Sequence, residues 1–193
     1  MAGLFVFEGP DGVGKTTMVK EVGKQLQNAG LPSICLSFPG KEDGTLGAHV
    51  YKLHHDPLSF DVTQLSPLSL QFLHVAAHVD VIERRILPLI RQGTTVLLDR
   101  YWWSTMVYGL AAGVSKLQLE KLISMEKLAW GAIFPTTLFL LSRQQPLETL
   151  GLLDAYNDLV TQEAQSYPIV CIENASPVEV ISERITSMVL NAS

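Results

Sequence analysis

The sequence predicts a doubly wound α/β fold, a three-layer α/β/α domain around a five-stranded parallel sheet. Three observations carry this. Five short apolar runs alternate with segments of helical periodicity along the 193 residues. The first run, Leu4-Phe5-Val6-Phe7, feeds a glycine-rich loop that ends in lysine and threonine. Polar and charged residues (Glu8, Asp99) fall just after such runs, at the carboxyl ends of strands, where open α/β sheets bind their ligands.

The loop is Gly9-Pro10-Asp11-Gly12-Val13-Gly14-Lys15-Thr16, followed by Thr17. It matches G-x-x-x-x-G-K-[ST] and specifies the P-loop NTPase variant of the fold. A strand enters it and a helix leaves it, with Val19, Val22 and Leu26 at helical spacing. The chemistry needs both. Backbone N–H groups of the turn point at a polyphosphate, and the helix N-terminus adds its positive dipole end. Residues 9–17 are therefore the expected ATP site. Lys15 reaches the outer phosphates, and the Thr16 hydroxyl is placed to ligate Mg²⁺.

The remaining elements follow in order. Gly30-Leu31-Pro32 stops the first helix, and Ser33 to Ser37 reads as strand two. After Phe38-Pro39-Gly40 comes an irregular polar stretch, then a short helix over 45–54 that Asp56-Pro57 breaks. A long helix is expected from about Pro67 to Gln92, with Phe72, Val75, Val79, Ile82, Ile86 and Leu89 as its apolar stripe. Thr95 to Leu98 is strand three, with Asp99 at its end. Helices over 104–111 and 115–130 precede strand four, Thr137 to Leu141. A helix over 147–165, strand five at Ile169 to Ile172 and a closing helix over 177–190 complete the pattern.

Composition bounds the function. The chain is within single-domain range, so one domain over 1–193 is expected. Net charge is −5 and the 14 Lys and Arg residues are scattered, which argues against a basic face for nucleic acid. No run has the length of a membrane span, and the chain enters its first strand at once, so a cytoplasmic location, where ATP and Mg²⁺ are available, is expected. Cys35 and Cys171 fall in strands and read as small core residues.

A second constellation narrows the chemistry. Asp99-Arg100-Tyr101 closes strand three, with Ser104 and Tyr108 after it. A carboxylate there in a P-loop protein can hold Mg²⁺ or orient an attacking oxygen. The adjacent guanidinium can clamp an acceptor phosphate bidentately. Read alone, Asp99 could also be a helix N-cap and Arg100 an exposed ion-pair partner.

Residues 7–17 resemble the first motif of the thymidylate kinase family, and Asp99-Arg100-Tyr101 with Ser104 and Tyr108 resembles its second. The likeness extends over nearly the whole chain, through the Phe38-Pro39 turn, the long helix near Pro88 and Gly93, and Ser176-Pro177-Val178. It implies a Mg²⁺-dependent kinase, homodimeric in its family's manner, that moves the ATP γ-phosphoryl group onto a deoxynucleoside monophosphate: dTMP or a related pyrimidine nucleotide. By position, the resemblance puts Asp11 at the acceptor sugar or phosphate and Phe38 beside the acceptor. Lys41 stands in place of a phosphate-binding arginine, Arg100 on the acceptor phosphate, Ser104 nearby and Tyr108 under the sugar.

Three positions depart from the family pattern. His74 and His78, at i and i+4 on one helix face, stand where the family carries a base-stacking Phe and a base-contacting Arg. Imidazole can both stack and hydrogen-bond, so both are expected to line the base pocket, with a preference that varies across pH 5–8 as imidazole titrates. The spacing also suits a metal pair, for which the sequence offers no third ligand. The arginine-rich lid between strand four and the next helix is expected to be reduced, near 142–147. Arginine is absent from the P-loop positions Gly12 and Val13, which leaves Arg143 as the local candidate for a catalytic arginine. Lys15, Asp99, Arg100, Asp11 and Arg143 are thus the expected catalytic set, with Thr16 and Asp99 on the metal. Two alternatives remain open: a kinase of the same fold acting on another small acceptor, and a nucleotide-binding protein with impaired catalysis.

Overall fold

Strand β1 (Leu4–Glu8) lies at the centre of a sheet of order β2-β3-β1-β4-β5, flanked by β3 (Thr95–Asp99) and β4 (Thr137–Ser142), with β2 (Ser33–Ser37) and β5 (Ile169–Glu173) outside. All four pairings are parallel. The computed structural model describes residues 3–143 and 150–192. The helices are α1 (Lys15–Asn28), α2 (Leu46–His55), α3 (Pro67–Val81), α4 (Leu87–Arg91), α5 (Trp102–Ala111), α6 (Lys116–Trp130), α7 (Leu150–Glu163) and α8 (Val178–Ala192). The three-layer α/β/α fold with a five-stranded parallel sheet is therefore as the sequence predicts.

Side-chain alternation along β1 divides the core. Leu4 and Val6 face a layer that includes Leu36, Leu98, Trp103 and Tyr156, while Phe5 and Phe7 face α1 and α8 through Met18, Val22 and Ile185. Both faces of each central strand are covered, which is why these strands are continuous apolar runs. The outer strands are only half covered. Cys35 on β2 and Cys171 on β5 are accordingly exposed free thiols rather than the core residues expected.

The long helix forms, but in three pieces. A π-helical turn at Ile82–Ile86 joins α3 to α4. Pro88 has no N–H to donate and its ring crowds the preceding turn, a local cause for the altered register. The buried stripe keeps Val75, Ile82 and Ile86 of the residues expected, but Gln71 and His78 take the places of Phe72 and Val79. Gln71, Val75, His78, Ile82 and Ile86 are buried, whereas Phe72 is 56% exposed and Val79 only half-buried. Polar side chains sit on this buried face because it packs on α2, α5 and α6 beside the ligand cleft. The expected helix over 147–165 is seen from Leu150 to Glu163; its first residues, and 144–147 of the region expected to hold a reduced lid, lie outside the described residues.

Candidate active site

Three strand ends build the site. In register, Asp99 of β3 lies opposite Phe7 of β1 and Ser37 of β2. Phe38 N donates to Asp99 O at 3.0 Å, so Glu8, Phe38 and Asp99 emerge together. The P-loop closes over them. Gly9 adopts φ 136°, and a Cβ there would meet the Leu141 carbonyl oxygen at 2.1 Å, so only glycine fits. Gly14, also at positive φ, leads into α1.

Lys15 is 5% exposed, and its ammonium donates to Gly9 O and Pro10 O, both at 2.7 Å. Burial and the Arg100 charge lower its pKa, while Glu8, Asp99 and Asp11 work the other way. The Thr16 hydroxyl donates to Asp99 Oδ2 at 2.5 Å, and Asp99 Oδ1 is buried without a hydrogen-bond partner. Asp11, Lys15, Thr16, Phe38, Lys41 and Arg100 line one cleft of about 420 Å³ with Asp99. Lys41 is exposed at its rim, its ammonium 4.5 Å from the Tyr51 ring centre.

Arg100 is held in an unusual backbone state. Its φ of 76° is rare for a residue with a side chain and costs on the order of 1–3 kcal/mol. Two bonds fix it: Arg100 N donates to Phe7 O at 2.9 Å, and Tyr101 N donates to Glu8 Oε1 at 2.7 Å. The guanidinium bonds Asp11 and the Ser104 hydroxyl, 3.1 Å away, and stands 5.4 Å from the Tyr108 ring centre. Burial opposes the Asp11 charge, but Arg100 and Lys15 outweigh it and hold its pKa below the usual carboxylate value.

Glu8, which the sequence places at a ligand-binding strand end, is a site member whose role sequence reasoning missed. It is fully buried and accepts five hydrogen bonds: from Tyr101 N, Ser104 N, Gly9 N, the Ser104 hydroxyl and the Tyr156 hydroxyl. Burial raises its pKa, against the pull of Arg100 and Lys15. Its position at the end of β1 was the available signal. Ser104, expected against the acceptor, is 8% exposed and turned inward to Glu8, Tyr156 and Arg100, because Glu8 offers it a buried charged acceptor. Asn174, after β5, was also missed. Its side chain donates to Val13 O at 2.7 Å and its backbone N donates to Ser142 O at 2.7 Å, tying the P-loop to the sheet.

The histidines lie behind Phe38, away from the phosphate cleft. His78 is 3% exposed, its ring stacked on Phe38 with centres 4.0 Å apart. His74 Nε2 is 3.3 Å from His54 Nδ1, and burial with the neighbouring His78 and His54 pushes the His74 pKa down to about 3. His74 therefore stays neutral across pH 5–8, so a titration of that ring in this range does not occur. Among the described residues no group of three His, Cys, Asp or Glu side chains is placed to hold a metal ion. Arg143 is exposed, directly after β4.

This arrangement has relatives. The profile of the thymidylate kinase family matches residues 7–150. A thymidylate kinase of Bartonella henselae is 33% identical over 96% of this chain and 94% of its own length. One from Pelotomaculum thermopropionicum is 32% identical over 86% of this chain and 76% of its own. The crystal structure of thymidylate kinase from Ehrlichia chaffeensis superposes with a TM-score of 0.78 over 97% of this chain and 98% of that one, at 19% identity, which supports the fold. With a polyphosphate-binding loop facing an arginine across one cleft, and with these matches over most of its length, the chain belongs to the thymidylate kinase family of ATP-dependent nucleoside-monophosphate kinases.

Proposed function

We propose that the chain transfers the γ-phosphoryl group of ATP to dTMP, giving ADP and dTDP. The observation that carries this is the cleft in which Lys15, Thr16 and Asp99 face Arg100 and Lys41, a donor-phosphate half against an acceptor-phosphate half. In this reading the N–H groups at the start of α1 and Lys15 hold the ATP phosphates. Arg100 and Lys41 hold the acceptor phosphate, and Asp11 meets the acceptor sugar or phosphate. Asp99 orients the attacking phosphate oxygen, which forms the new bond to the γ-phosphorus as the bond to ADP breaks. Tyr108 lies beneath the sugar, and His74 and His78 lie at the base.

Mg²⁺ suits this donor set. Thr16 Oγ1 and both Asp99 oxygens are hard ligands, and Asp99 Oδ1 has no protein partner. The ion would neutralise charge on the phosphates. Arg143 is proposed to add positive charge from the end of β4. Arg143→Ala should then lower kcat about tenfold or more with ATP binding unchanged, and a wild-type rate would remove that role. Homodimerisation is proposed from the exposed apolar side chains of Phe72 on α3 and Leu117, Met125 and Leu128 on α6. Sedimentation as a monomer at micromolar concentration would contradict it. Among the described residues no helix is long and apolar enough to cross a membrane, which accords with a cytoplasmic enzyme.

The test of the reaction is product analysis. ATP, Mg²⁺ and dTMP should yield ADP and dTDP in equal amounts. Consumption of ATP without formation of dTDP from dTMP would refute the proposal.

A further inference from the structure

We infer that Glu126 is a positioning residue for the acceptor base, acting through His78. This rests on the reading above that the base lies against α3.

Glu126 sits mid-way along α6 and is fully buried. Its Oε2 is 2.9 Å from His78 Nδ1. A carboxylate accepts and does not donate, so the proton in this contact belongs to Nδ1. The ring is fixed on a second side by Phe38, stacked on it with an interplanar angle of 10°. Phe38 is itself a wall of the phosphate cleft and packs against Trp130, one turn beyond Glu126. The imidazole therefore has a set plane and a set tautomer. Its Nε2 makes no hydrogen bond among the described residues, so it is the atom left for a ligand.

Cost argues for a role. A buried carboxylate is expensive unless well partnered, and a space-filling apolar residue serves a core position better. Glu126 has one oxygen bonded to His78, and the other, Oε1, is buried with no partner among the described residues. What this carboxylate achieves is to set which imidazole nitrogen carries the proton. In the tautomer proposed, with the proton on Nδ1, Nε2 presents a lone pair. Thymine and uracil present an N3–H to such an acceptor. Cytosine carries a lone pair at N3, so the same contact sets acceptor against acceptor. The imidazole–carboxylate pair thus occupies the position of the family's arginine with opposite hydrogen-bonding polarity: it accepts where a guanidinium donates.

Three measurements test this. In the wild-type enzyme, long-range ¹H–¹⁵N spectra should show His78 protonated at Nδ1, with Nε2 the nitrogen that shifts when dTMP is added. An Nε2-protonated neutral ring, or no shift on saturation with dTMP, overturns the proposal without any variant. Glu126→Leu fills the space but removes the acceptor. It should raise the dTMP KM about tenfold and erode the dTMP/dCMP preference, with the ATP KM within about twofold. Glu126→Gln should rescue most of this, since its amide oxygen can still accept from Nδ1–H. A merely structural Glu126 would shift Tm in both variants and leave the base preference alone, and that result overturns the inference. His78→Ala separates the two levels of the argument. If it leaves dTMP KM and base preference unchanged, the base is not at α3 and both readings fail. If it changes them while Glu126→Leu does not, the role of Glu126 alone fails.

Discussion

On the proposed reading, the phosphate half of the site, in the P-loop cleft, and its base half, behind Phe38, are built on different principles. The phosphate half is backbone machinery. Gly9, Gly14, the start of α1 and the carbonyls that hold Lys15 are local in sequence, and their geometry follows from a short motif. The base half is side-chain machinery gathered from α2, α3, α6 and the end of β2: His54, His74, His78, Glu126 and Phe38. Glu8 and Asn174 connect the two kinds of construction, as single side chains that brace a backbone loop. The comparison teaches that the reaction type is fixed locally and the substrate choice non-locally. Change in the base half can alter specificity while the phosphate half stays intact.

The largest effect should come from the phosphate half. Lys15→Ala removes a cation aimed at developing negative charge and should lower kcat on the order of 10²–10³-fold. A wild-type rate would place phosphate recognition elsewhere. Next is Glu8→Gln. An amide turns one donor toward groups that themselves donate, so denaturant unfolding should show a loss of about 2–4 kcal/mol. Because Glu8 also fixes the strained backbone at Arg100, the dTMP KM should rise as well; stability loss without that rise would separate the brace from the site.

Asn174→Ala should be milder. It leaves the Val13 carbonyl without its buried donor, at a cost of about 1–2 kcal/mol. The ATP KM should rise and the dTMP KM stay constant, so equal effects on both would deny that the two halves are separately built. The smallest effect is on the base side. His74 is kept neutral by burial, with its pKa pushed down to about 3, whereas the unfolded ring titrates near its ordinary value. Below that value the unfolded chain binds the extra proton, so stability is present above about pH 6.5 and is lost as pH falls. Between pH 7.5 and 5.5, Tm should drop by about 2–4 °C from this group. His74→Phe should flatten that slope, and an unchanged slope would show that the ring charges freely in the folded protein.

These differences explain what could be read from the chain alone. The five strands and most of the helices were legible because parallel strands buried on both faces are apolar runs and the helices carry stop signals, but the long helix was read as one where α3, a π-helical turn and α4 stand. Lys15, Thr16 and Asp99 were legible because their roles follow from position in a strand–loop–helix unit. Glu8 was legible in place but not in role, and Asn174 in neither, since a lone polar residue at a strand end carries no spacing signal. The stripe of the long helix was read correctly at Val75, Ile82 and Ile86 and missed at two positions, because buried Gln71 and His78 break the apolar pattern that reveals a helix face. Glu126 was invisible for a related reason: its partner is 48 positions away in sequence, in a different helix.

The central claim is that Arg100, held in place by Glu8, grips the acceptor while the P-loop grips the donor. Steady-state kinetics of Arg100→Ala against varied dTMP and varied ATP test it most directly. The account predicts a dTMP KM raised tenfold or more, on the order expected for loss of a charged phosphate contact, with the ATP KM within about twofold. Equal rises in both constants, or no rise in the dTMP KM, would contradict it.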